Sequence, residues 1–116
     1  MMKKIIVNGN EYIFINETGS TSHGFKHTSS MYVNGFFDRK ATAHYINRTW
    51  ESYHYQTVML NAVYDALKDK HYEIELTLKE ENGWKRLSKD RRETLECIYN
   101  DDSEVQELEK VMEELR

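Results

Sequence analysis

The sequence predicts an α+β domain: an N-terminal antiparallel β-meander of three to four strands packed on a long helix, followed by two shorter C-terminal helices. Three observations carry this. Short β-branched and aromatic runs are punctuated by two Asn-Gly pairs before residue 48; apolar residues step by three or four from residue 50; and the chain contains no proline to interrupt that step. At 116 residues it is long enough for a single domain that buries about two thirds of the surface its unfolded form exposes. The expected division is an antiparallel sheet in 1–48, the long helix in 50–81 and a helical C-terminal part in 88–116.

Taken in order, apolar runs at 5–7 and 12–15 flank Asn8-Gly9-Asn10, and Asn-Gly readily takes the positive φ angles that a two-residue hairpin turn requires. The polar stretch NETGSTSHG, 16–24, predicts a turn-rich segment. Two more strand-like runs surround Asn34-Gly35, with the last strand near 41–48.

Thr49 is the expected N-cap of the long helix, and Glu51 suits the positive end of its dipole. Trp50, Tyr53, Thr57, Leu60, Tyr64, Leu67, His71, Ile74 and Leu78 define the expected buried stripe, which stops at Asn82-Gly83. Tyr72, Ile74, Leu76 and Leu78 also alternate as a strand would. The lack of glycine or proline from 51 to 82 favours the helix. Ser88 and Ser103 are the expected N-caps of the shorter helices, with Gln106 at a capping-box position.

Composition narrows the function classes. Cys97 is the only cysteine, which excludes an intrachain disulfide and a four-cysteine zinc site; between Leu95 and Ile98 on a helix it is expected to be buried and inert. The apolar run near the N-terminus is too short for a signal peptide or membrane span, so a soluble, cytoplasmic protein with no membrane contact is expected. Residues 1–50 hold six Lys/Arg against three acids, a balance of +3 that leaves −7 for the remainder of a chain carrying −4. That footprint is weaker than a dedicated nucleic-acid module shows. No glycine-rich phosphate loop or nucleophile elbow occurs, so neither an enzyme nor a cofactor is expected.

Candidate sites are therefore binding sites. Arg48, Trp50, Tyr53, Tyr55 and Gln56 concentrate interface-prone side chains where strand passes to helix; Tyr53 and Tyr55, two apart, do not share a helical face, so one of the aromatic set is expected off the buried stripe. The plainer reading is that Trp50 and Tyr53 fill the groove between sheet and helix. Lys26, Arg39 and Lys40, beside exposed aromatics, are the candidate nucleic-acid contacts. His23, His27, His44 and His54, with Asp38, evoke a metal site, but a four-residue step outside a helix does not converge His23 and His27, and no metal is expected. The basic run WKRLSKDRR and the acidic DDSEVQELEKVMEELR either solvate their helices or attract one another; otherwise the basic run grips phosphate. Three strands and a helix over 12–68 also follow the order of the second half of double-stranded-RNA-binding domains, yet the helix start WESYHYQT has no lysine for the phosphates.

The segment NRTWESYHYQT resembles small proteins carried by phages and mobile elements of Gram-positive bacteria, in which a strand ending NRTWE passes into a helix beginning YQT. The likeness extends to the first Asn-Gly hairpin, HGFKH and ENGWKRLSKDRR. The group has no reaction or cofactor to transfer onto these positions. The resemblance implies a protein that binds a macromolecular partner, with a nuclease of host antiviral defence, inhibited in anti-CRISPR fashion, as the specific expectation.

Overall fold

The computed structural model describes residues 1–46 and 51–116, with the backbone alone at 51–53. The α+β architecture is as the periodicities predict. Four strands, β1 (Met2–Val7), β2 (Asn10–Thr21), β3 (Gly24–Val33) and β4 (Phe36–Tyr45), form an antiparallel sheet in chain order, and α1 (Glu51–Glu81), α2 (Lys89–Asp101) and α3 (Ser103–Leu115) follow.

Both Asn-Gly pairs close two-residue turns. Asn8 and Gly9 have φ 53° and 80°, Asn34 and Gly35 51° and 85°, so all four backbones adopt the left-handed region that matches the twist of the flanking strands. These turns lie at one end of the sheet, where the Asn34 side chain joins them by donating to Asn10 Oδ1 at 3.0 Å and accepting from Glu11 N at 2.8 Å. The polar stretch 16–24 is not the expected loop: β2 runs through Thr21 and pairs residue for residue with β3. Side-chain polarity misleads there because the backbone ladder, not side-chain burial, holds the strand ends. At Gly24, φ 149°, a Cβ would stand 2.3 Å from the Tyr45 carbonyl oxygen, so only glycine lets β4 approach that turn. The last strand starts earlier than expected, at Phe36, because its register is set by the Asn34-Gly35 turn; the pairing shifts between Met31 and Tyr32.

Alternation sends Ile5, Val7, Tyr12, Phe14, Met31 and Ala41 to one face, where they are buried beneath the helices. From α1 they meet Tyr55, Val58, Met59, Ala62, Val63, Ala66 and Leu67, and from α3 Val105, Leu108, Val111 and Leu115. The buried face of α1 keeps Leu67 and Leu78 of the expected stripe but is rotated from it near the sheet, where Tyr64 is 46% exposed while Ala62 and Val63 are fully buried. The stripe followed the largest side chains, whereas the sheet selects small ones that let the layers approach closely.

Residues 72–80 are helical, and α1 ends in a Schellman motif: Trp84 N donates to Lys79 O at 2.7 Å and Gly83 N to Glu80 O at 3.2 Å, with Gly83 at φ 67°. Ser88 caps α2 by accepting from Arg91 N at 3.3 Å, as expected. The cap of α3 is Asp102 rather than Ser103, its carboxylate accepting from Val105 N at 3.0 Å, because Asp102 also closes α2 and leaves no residue between the helices. Gln106, placed in the expected capping box, instead donates to Asn100 O. A satellite core of Leu78, Leu87 and Leu95, with Ile74 against it, fastens α2 to the far end of α1. Cys97 is exposed, contrary to the expected burial, since Leu95 takes the inward position of that turn.

Candidate functional site

The residues picked out at the strand-to-helix junction divide. Arg48 and Trp50 lie outside the described residues, as do the Thr49 cap and the Tyr53 side chain. Tyr55 belongs to the core rather than the surface: it is 8% exposed, and its hydroxyl lies 2.6 Å from Thr18 Oγ1. Gln56 is half-buried and donates to the Leu115 carbonyl at 2.8 Å, tying the start of α1 to the end of α3.

Around Tyr55 the inner face carries an unexpected set of polar rings. His27 is fully buried and meets Tyr45, His54 and Tyr55 edge-on, with ring centroids 5.0–5.3 Å apart, while Tyr45 and His54 stack at 3.5 Å. His23 stands exposed at the β2–β3 turn and His44 on the opposite face, so of the four histidines only His27 and His54 come together. Among the described residues no group of three or more His, Cys, Asp or Glu is placed to hold a metal ion. Asn16, 2% exposed, donates to Met59 Sδ at 3.6 Å. The cluster fits sheet to helix, and Tyr45 at its edge also lines a cleft of about 420 Å³ with Thr21, His23, His44 and Ile46.

A second polar group lies between the sheet and α3. Glu107, 9% exposed, accepts from the Tyr12 hydroxyl and from Asn10 Nδ2, the latter at 2.7 Å. Burial, reinforced by the bond to Glu107 and its negative charge, pushes the Tyr12 phenol far above its ordinary pKa. A cleft of about 400 Å³ opens beside this pair, lined also by Arg39, Asp69, Lys70 and Glu104. Both cations that line it are held by carboxylates, which outnumber them. Arg39 bridges Asp38 and Asp69, each at 2.6 Å, and Lys70 reaches Glu104 at 3.1 Å and Asp102 at 3.7 Å. Burial works against the charge on both cations, but these carboxylates outweigh it and raise both pKa values. The acidic run therefore pairs with α1 and not with the basic run.

Arg39 is consequently committed to the helix side of the sheet, whereas Lys26 and Lys40 stand exposed on the other side; the structure does not bring the three together. That other side is the surface the motif reading missed. One row across the four strands runs Lys4, Ile13, Tyr32, Phe37, the next Met2, Ile15, Ser30, Lys40. Tyr32 and Phe37 meet edge-on at 5.7 Å, and Phe37 is 58% exposed, Met2 64% and Ile6 63%. Among the described residues, no helix lies over this face. The sequence signal for it was present: IIV and YIFI are continuous apolar runs, and a strand apolar on both faces belongs to a sheet that is covered on both. Comparison with protein families, with curated proteins and with solved structures finds no match, so these surfaces are read from their own geometry.

Proposed function

We propose that this chain is a non-catalytic binding protein whose outer sheet face docks a protein partner. The observation that carries the reading is the apolar patch made by exposed Ile15 and Phe37 with half-buried Ile13 and Tyr32, in two adjacent rows of a sheet whose other face carries the helices. Its composition is that of an interface: an aromatic and aliphatic centre, rimmed by Lys26, Lys40 and the Lys4–Glu11 ion pair. Both cations of the cleft are held by carboxylates and Glu107 by Tyr12 and Asn10, which suits a scaffold better than a reaction centre. Likeness to phage and mobile-element proteins supports a nuclease of host antiviral defence as the partner, blocked in the host cytoplasm in the manner of anti-CRISPR proteins. No helix among the described residues is long and apolar enough to cross a membrane.

The test is inhibition of purified defence nucleases of Gram-positive hosts. The intact chain is expected to suppress cleavage by one of them and to co-elute with it; Phe37→Asp combined with Ile15→Lys is expected to weaken inhibition roughly 30-fold or more, the scale of losing interface hot spots. Undiminished inhibition by a folded double variant would move the docking surface elsewhere, and direct cleavage of nucleic acid by the chain itself would overturn the non-catalytic reading. The second reading, a nucleic-acid-binding accessory protein using Lys26, Arg39 and Lys40, is less well supported, because Asp38 and Asp69 hold Arg39.

A further inference from the structure

The geometry points to a second binding surface, at the α1–α2 connection, that takes single-stranded nucleic acid by stacking a base on Trp84 and holding phosphates with Lys85, Arg86, Lys89 and Arg92. Trp84 is 64% exposed. It is nonetheless held in place: the Schellman bond from its N–H to Lys79 O sets it at φ 63° immediately beyond the helix, and three residues later Leu87, 4% exposed, anchors the connection in the satellite core. The indole is therefore presented to solvent on a backbone fixed at both sides, which lowers the ordering cost of using it as a platform.

Charge selects the partner. Acids outnumber Lys/Arg by 20 to 16, and four cations elsewhere are ion-paired, Lys4 with Glu11, Arg39 with Asp38 and Asp69, Lys70 with Glu104 and Lys79 with Glu75, while the other unpaired ones among the described residues stand scattered rather than grouped about an exposed ring. Between 84 and 92 stand five cations and one acid, and among the described residues none of these cations lies within ion-pair distance of a carboxylate. The positive end of the α2 dipole, at Lys89, falls among them. Unpaired cations around an exposed ring fit a polyanion that also offers flat faces. A single strand does so, whereas a duplex keeps its bases stacked inside. This surface is separate from the sheet face and does not depend on what docks there.

Fluorescence anisotropy of labelled single-stranded DNA and RNA, titrated with the full chain, reads the prediction. Three or four phosphate contacts imply that affinity falls roughly 20- to 50-fold between 50 and 200 mM salt. Trp84→Ala is expected to weaken binding about 5- to 150-fold, the range for losing one stacked base, and Arg86→Glu with Lys89→Glu to remove it at moderate salt, with circular dichroism unchanged for both. Lys26→Glu with Lys40→Glu is expected to leave it intact. The part of the tryptophan emission that is missing in Trp84→Phe should be quenched by the oligonucleotide. Absence of binding at low salt, equal affinity of Trp84→Ala, or equal quenching by poly-glutamate or a duplex would each overturn the proposal.

Discussion

Replacing Phe14 with alanine is expected to cost about 3–5 kcal/mol, the range for truncating a fully buried aromatic, while Ile15→Ala, one residue along the same strand, is expected to cost under about 1 kcal/mol. Phe14 is 0% exposed and points into the layer shared with α1 and α3, whereas Ile15 is 37% exposed and points the other way. For a domain of this length the Phe14 loss corresponds to a fall in Tm on the order of 10–20 °C. Against a total stability of roughly 5–15 kcal/mol, it leaves a small margin. Chemical denaturation of both variants checks the contrast. A comparable loss at Ile15 would mean that the outer face is covered in the free protein, and it would remove the basis of the docking surface.

Tyr12→Phe is the second large effect. The hydroxyl donates to the buried carboxylate of Glu107 on α3, and its removal leaves Glu107 with Asn10 alone; a hydrogen bond to a charged group contributes about 1.5–3 kcal/mol. The substitution also changes the response to pH. Folding raises the Tyr12 pKa above its ordinary 10.0, so the folded chain holds the phenol proton more tightly than the unfolded chain does. The resulting stabilisation is complete below about pH 10 and declines as pH rises above it, by up to about 1.4 kcal/mol per pH unit while the unfolded phenol alone ionises. Lys70, whose pKa folding also raises, adds loss in the same alkaline direction in both proteins. Denaturation between pH 9 and pH 12 should therefore show wild type losing stability more steeply than Tyr12→Phe. Parallel curves would show that the phenol is not protected as described.

What the chain disclosed about itself follows the range of the interactions. Asn8-Gly9, Asn34-Gly35, Gly83 and Ser88 act on their own turns, and each is found where the residues around it predict. Features that depend on distant partners were not legible. Tyr12 and Glu107 are 95 residues apart in sequence, and nothing local marks either as half of a buried pair. His27 and Tyr55 likewise read as surface chemistry until the sheet folds beneath the helix and encloses them. The rotation of the α1 stripe has the same origin: Ala62 and Ala66 carry little hydrophobic signal, yet small side chains are what close layer contact demands. The apolar neighbours of Cys97 describe a helix turn but not its direction, which places the thiol at the surface. The outer face is legible in the continuous apolar runs IIV and YIFI, because a strand apolar on both sides requires cover on both.

The proposal that the outer face is where this chain meets its partner is tested most directly by photocrosslinking in the host cell. A benzoylphenylalanine at Phe37 is expected to trap a protein partner, while the same residue at Tyr72, equally exposed on the helix side, is expected to trap none. Crosslinking at Tyr72 with silence at Phe37 would contradict the account.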